Sequence, residues 1–212
     1  MNLKSLQSVS LFSGIAGLSI GTPLLYCEND ARATSVLEAR MADGSLPTVP
    51  IHPDVTTLLA LPPETQLLEA GFPCQDISCV GHQRGFYGKK TILFYHVARL
   101  VATSRPEWVF LENVERITQM PSVWRPILTI LSELGYDCNW GVVGACNIGA
   151  PHRRNRWFCL CRRMRVPPKK HPRIAFGSET MHRFGRCENY TYTATASFLS
   201  TCFEYQPHLV LN

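Results

Sequence analysis

Between residues 6 and 114 short apolar runs alternate with helical patterns, and the apolar runs keep ending on polar or turn-forming residues. LQSVSLF (6–12) runs straight into the small residues SGIAG and then a helix-like stretch. PLLYCEND (23–30) closes on Glu28 and precedes the helical segment ATSVLEARMA; a third unit ends at HPDV with Asp54, and a fourth, QLLEA, at GFPCQ. ILFYHVARLVA (92–102) has helical periodicity, and WVFLENV (108–114) makes a fifth strand closing on Glu112 and Asn113. Strands alternating with helices predict an α/β domain with a doubly wound, mostly parallel sheet. In such sheets ligands bind outside the carboxyl ends of the strands, where Ser13 to Gly17, Glu28, Asp54, Cys74 and Glu112 all fall.

Further along, SVWRPILTILSELGYD predicts a helix ending at Gly135, and NWGVVGACNIGAPHRRNRWFCLCRR two strands joined across NIGAP. After Met164 the character changes to a proline and lysine break, VPPKKHPR, followed by short strand-like pieces such as NYTYTATASF. The expected organisation is one domain over residues 1–164 and a short irregular basic extension over 165–212. Residues 1–150 hold 10 Lys and Arg against 13 Asp and Glu, whereas residues 151–212 hold 11 against 3. The stretch Arg153 to Arg186 is therefore readable as a phosphate-binding surface or as a solvated basic tail.

Apolar residues at 45% and charged residues at 17% suit a globular chain and exclude a wholly disordered one. No apolar run reaches bilayer-spanning length, and the N-terminus does not read as a secretory signal, so the expectation is a soluble intracellular protein without membrane contact. Nine cysteines, an odd number without a CxxC pair, form no disulfide framework and support a zinc site only weakly. Cys159 and Cys161 in WFCLCRR alternate as on a strand, which puts both on one face.

Two local features carry chemistry. A strand running into a glycine-rich turn lets the backbone approach a nucleotide-type ligand, although a tight structural turn would look the same and SGIAG falls short of GxGxxG. In GFPCQDIS (71–78) Pro73 stiffens the exit from the sheet and aims the next side chain, making Cys74 a candidate nucleophile; the plainer alternative is a small buried hydrophobe.

Taken in order, these segments resemble the cytosine-5 DNA methyltransferases, a likeness covering about residues 8 to 163. SLFSGIAGL resembles the motif that cradles the methionine part of S-adenosylmethionine, YCEND the ribose-binding acid motif, and PDV the motif whose aspartate meets the adenine. GFPCQDISCVGHQRGF resembles the nucleophile loop, LENV the glutamate motif and APHRRNRWF the arginine motif. The resemblance implies a Rossmann-like fold and S-adenosylmethionine as methyl donor, leaving S-adenosylhomocysteine and needing no metal. It implies cofactor contacts from Phe12, Ser13, Gly14, Ile15, Gly17, Glu28, Asn29, Asp54, Val55, Pro73 and Leu93. It implies catalysis by Cys74, Glu112, Arg154 and Arg156.

The implied chemistry fits these residue types. A thiolate from Cys74 adds to carbon 6 of cytosine; an acid at Glu112, raised in pKa by its apolar strand, relieves charge at ring nitrogen 3. Arg154 holds the exocyclic oxygen, and Arg156 braces the nucleophile loop or meets phosphate, as Arg153 would. Gln75 shapes the loop and Asn113 is a structural hydrogen bonder. The implied partner is DNA with its cytosine flipped from the duplex. The implied compartment is the cytoplasm for a prokaryotic or viral chain and the nucleus for a eukaryotic one.

Departures from the family pattern include Ser10 for an acid, Ala16 for a glycine, His152 for a glutamine, His96 for an acid, and GKKTILF in place of a more usual arginine and glycine before the leucine and phenylalanine. No GN-containing closing motif is found, and about fifty residues after the arginine motif are too few to add a recognition domain. The resemblance thus implies a truncated enzyme, one split with a second polypeptide, or an inactive chain that binds DNA or a partner. Methylation of transfer RNA ranks below these, because Phe72 rather than a second proline precedes Pro73.

Overall fold

The computed structural model describes residues 3–73 and 92–165. Seven strands form one sheet: β1 (Gln7–Leu11), β2 (Thr22–Cys27), β3 (Ile51–His52), β4 (Leu67–Ala70), β5 (Trp108–Val114), β6 (Tyr136–Gly144) and β7 (Asn155–Arg163). Among the described residues three α-helices accompany them: α1 (Ala31–Ala42), α2 (Ile92–Ser104) and α3 (Pro121–Glu133). The spatial order is β3-β2-β1-β4-β5-β7-β6. Strands β1 to β5 pair in parallel, and β7 runs antiparallel between β5 and β6. The expected doubly wound, mostly parallel sheet is present. Its order reverses between β1 and β4, which opens a crevice at their carboxyl ends.

Alternation along each strand sorts side chains to two faces. Val9 and Leu11 of β1, Leu68 and Ala70 of β4, and Val109 and Leu111 of β5 join the larger core, together with Phe94, Val97 and Leu100 of α2 and Val123, Ile127 and Leu131 of α3. The α3 residues recur every four positions and so form one stripe on that helix. Helix α1 begins where Asp30 caps it, its carboxylate accepting from the amides of Arg32 and Ala33 at 2.9 Å. Strands β6 and β7 are joined as expected across NIGAP, where Gly149 takes the left-handed backbone (φ 93°) that ends a short 3₁₀ turn.

The opposite face carries a smaller cluster of Leu67, Trp108, Phe110, Val143 and Leu160, flanked by Leu18 and Ile20. Here one expectation fails: no helix follows SGIAG, and residues 12–21 cross from β1 to β2 as consecutive turns. The reason is lack of room. Phe12, Gly14 and Ala16 hold the turn itself in positive φ (55°, 54° and 66°), and β2 starts at Thr22, which leaves four residues after SGIAG, about one helical turn. A link this short also falls below the dozen or more residues that a crossover between parallel strands usually takes.

Glu69 sits inside β4 facing this short link, fully buried at 0% exposure. Burial raises its pKa from 4.5 to about 7, against the pull of the Gly21 and Ile20 amides. Between pH 4.5 and about 7 the folded chain therefore holds a proton that the unfolded chain releases. Stability should fall as pH rises through that window, by up to about 3 kcal/mol from this group. Denaturant melts at pH 5 and pH 7.5 should show the slope in the wild type and a smaller one in Glu69→Gln; equal slopes would contradict it. Among the described residues no helix is long and apolar enough to cross a membrane.

Candidate active site

A cavity of about 210 Å³ opens at the switch between β1 and β4, lined by Phe12, Cys27, Glu28, Asn29, Asp54, Val55, Gly71, Pro73 and Leu93. Seven of these were expected from sequence; Cys27 and Gly71 were not. Their signal was position, since each immediately precedes a residue already singled out, Glu28 and Phe72, at a strand end. Burial, then Asp54 and Glu28, push the Cys27 thiol up to about 12, so it is a neutral piece of wall.

Ser13 staples β1 to β2. Its hydroxyl donates to the Ser10 carbonyl at 2.7 Å and accepts from the Cys27 amide at 3.1 Å. The Gly14 amide donates to Glu28 Oε2 at 2.7 Å, and the Asp30 amide to Oε1 at 2.8 Å. Glu28 is thus fixed at the cavity wall before any ligand arrives. Ile15 is 64% exposed and Gly17 is also exposed, so these two expected residues stand on the outside of the turn rather than on the cavity lining. Asp54 is held below the usual carboxylate range by the Thr56 amide, which donates to Oδ1 at 2.8 Å. Arg99 of α2, not singled out from sequence, donates to the carbonyls of Val55, Leu58 and Leu59 and ties that wall to the helix.

Next to this cavity stands an acid. Glu112 on β5 and Arg156 on β7 are diagonal neighbours across the antiparallel pair, Val114 lying opposite Arg156. Arg156 Nε meets Glu112 Oε1 at 2.8 Å, each side chain one-quarter exposed. Arg156 was expected to brace the nucleophile loop or meet phosphate; among the described residues it pairs with Glu112 and donates from Nη1 to the Asn155 carbonyl at 2.9 Å. A Cβ on Gly71 would lie 3.3 Å from Glu112 Oε2, so this glycine lets the carboxyl lie against the cavity rim. Burial raises the Glu112 pKa, while the Arg156 and Arg154 charges lower it. Arg154 is exposed just before β7.

Asn113 is buried and donates from Nδ2 to the Phe72 carbonyl at 3.0 Å, while its Oδ1 accepts from the Val114 amide. It therefore ties β5 to the segment leading into Pro73. Cys74 and Gln75 lie outside the described residues, as does the part of the basic stretch beyond Arg165.

Cys159 and Cys161 do share a face, their sulfurs 3.4 Å apart. Cys138 on β6 lies directly opposite Cys161 and is joined to it by a disulfide, a pairing that the cysteine spacing did not disclose. The three sulfurs lie within 4.8 Å of one another, but two of them are spent on each other.

Because the Arg156 charge opposes the effect of burial on Glu112, Arg156→Gln should raise the Glu112 pKa further. Carbon-13 detection of the labelled Glu112 carboxyl during a pH titration should record the upward move; an unchanged or lowered value would contradict the pairing.

The profile of the C-5 cytosine-specific DNA methylases matches residues 6–201. The type II methyltransferase M.CviJI of Paramecium bursaria Chlorella virus IL3A is 34% identical over 173 residues, covering 78% of this chain and 46% of the relative. M.HhaI of Haemophilus parahaemolyticus is 32% identical over 168 residues, covering 75% and 50%. The chain thus spans about half the length of these curated relatives. The crystal structure of S. pombe Dnmt2 methyltransferase shares the fold with a TM-score of 0.59 at 18% identity, over 75% of this chain and 51% of that one. With a match across nearly its whole length and the sheet order and rim described above, the chain belongs to the C-5 cytosine-specific DNA methylase family.

Proposed function

We propose that this chain is the catalytic half of a DNA cytosine-5 methyltransferase that takes its methyl group from S-adenosylmethionine. The observation that carries this is the meeting, at Gly71, of a strand-end cavity and the Glu112–Arg156 pair on one sheet rim. S-adenosylmethionine, when bound, supplies a methyl group activated on a sulfonium. Glu28, already taking two amides, has lone pairs left for ribose hydroxyls; Asp54 would meet the adenine, and Phe12, Val55 and Leu93 give apolar wall. Ser13 and Gly14 hold the turn; Ile15 and Gly17 act through its backbone shape rather than as lining. Asn29 and Pro73 complete the rim.

On the base, the Cys74 thiolate adds to carbon 6, and Glu112, with its pKa raised, donates a proton at ring nitrogen 3. Carbon 5 would then take the methyl group, with S-adenosylhomocysteine leaving; loss of the carbon 5 proton and of the Cys74 thiolate, with the nitrogen 3 proton returning to Glu112, restores the neutral aromatic ring. Arg156 holds Glu112 in place, and Arg154, exposed beside it, is available to the exocyclic oxygen. Asn113 anchors the segment leading to Cys74 through the Phe72 carbonyl. No step calls on a metal.

Because the chain spans about half of its relatives' length, we assign reading of the target sequence to residues beyond those described or to a second polypeptide. The same observation favours one other reading, a DNA-binding or partner-binding chain that does not catalyse. Purified protein incubated with tritiated S-adenosylmethionine and mixed-sequence DNA should label the DNA, and Cys74→Ser should lose at least a hundredfold in rate. Label equal in both proteins would sink the catalytic proposal, and DNA binding indifferent to Cys74 but weakening steeply with salt would favour the alternative.

A further inference from the structure

The link between β1 and β2 has no helix to seat it on the sheet, yet its far end is fixed. Glu69 Oε1 accepts the Ile20 amide at 2.7 Å and the Gly21 amide at 2.8 Å. The approach is close: a Cβ on Gly21 would lie 2.7 Å from Ser8 Cβ and 2.8 Å from its Oγ. The near end is fixed by the Gly14 amide on Glu28 and by Ser13 on the ends of β1 and β2. Among the described residues two backbone turn closures lie between these anchors, Ala16 to the Ser13 carbonyl and Ser19 to the Ala16 carbonyl. The turn assigned to the cofactor is therefore suspended between two carboxylates, one at the cavity wall and one behind the sheet.

An apolar residue at position 69 would suit the smaller core better, because burying a carboxyl costs free energy that burying a leucine does not. Its surroundings are polar instead. The hydroxyls of Ser8, Ser10, Ser19 and Tyr26 are buried near it, and the Ser8 and Tyr26 side chains interact with it. A chain that keeps a carboxyl here against that cost uses it for something.

We infer that Glu69 is a positioning residue for cofactor binding: through the Ile20 and Gly21 amides it holds the Ser13–Gly17 turn against β1, in the place where a crossover helix would otherwise pin it. This rests on the proposed S-adenosylmethionine site. It acts through the backbone and touches no cavity atom, Glu69 being absent from the lining. What the turn needs from it is an acceptor oxygen in the right place, so an amide should serve and a hydrocarbon of similar size should not.

The test uses the full chain as wild type, Glu69→Gln and Glu69→Leu, with S-adenosylhomocysteine binding measured by calorimetry. Hydrogen exchange is followed at Ile20 and Gly21. Glu69→Leu should bind about tenfold more weakly and exchange faster at both amides, whereas Glu69→Gln should stay within about threefold of wild type. Glu69→Leu that melts within a few degrees of wild type and binds equally well would overturn the inference. If Glu69→Leu does not fold, wild-type exchange decides: Ile20 and Gly21 should be protected well beyond the exposed Ile15, and equal exchange at all three would overturn it. A wild type that binds no S-adenosylhomocysteine would sink the cofactor reading, while the exchange data would still judge the anchor.

Discussion

The parallel pairing of β1 with β4, Ser8 against Leu67 through Leu11 against Ala70, is the contact on which the rest of the site depends. It brings together two strands far apart in sequence, and because β2 and β3 then extend one way and β5, β7 and β6 the other, the chain leaves both carboxyl ends pointing at the same empty rim. The turn after β1 and the Gly71–Pro73 segment after β4 become the two lips of one cavity. The pairing is supported where strands have no choice: Val9, Leu11, Leu67, Leu68 and Ala70 are all buried. A one-residue slip of β4 would turn Glu69 into the larger core and take Leu68 and Ala70 out of it.

Charge at the rim is arranged by the same geometry. Glu28 is held by two amides, Asp54 by the Thr56 amide, and Glu112 by a guanidinium, so each carboxyl is fixed by its own donors. Asp54 is pushed toward the ionised form and Glu112 toward the neutral one. That division suits a site in which one acid receives hydrogen bonds and another must give a proton. The Cys138–Cys161 pair and Cys159 lie away from this rim, within the apolar packing of β6 and β7.

Much of this was legible because parallel strands buried on both faces write themselves as apolar runs with abrupt ends. WVFLENV corresponds residue for residue to β5, and Glu28, Asn29 and Asp54, which close two of the earlier runs, line the cavity. Other features were hidden for physical reasons. A helix-like stretch was expected after SGIAG, but β2 starts at Thr22 and leaves only four residues for it, which the pairing of β2 with β1 decides and the local pattern does not show. Glu69 was absorbed into the apolar run QLLEA, since nothing local distinguishes a buried acceptor from an edge charge. Arg99 and Cys138 find their partners about 40 and 23 residues away in sequence, beyond what a local pattern encodes. Cys74, the residue with the plainest sequence signal, lies outside the described residues.

The central claim is that one rim joins a methyl-donor cavity to a cysteine that adds covalently to cytosine. DNA carrying 5-fluorocytosine tests this directly, because a fluorine on carbon 5 cannot leave as the proton does, and the adduct persists once the methyl group has been transferred. Incubation with S-adenosylmethionine followed by denaturing electrophoresis should give a protein–DNA band that requires both the cofactor and Cys74. A band that forms equally without S-adenosylmethionine or in Cys74→Ser, or no band from the wild-type protein, would contradict the account.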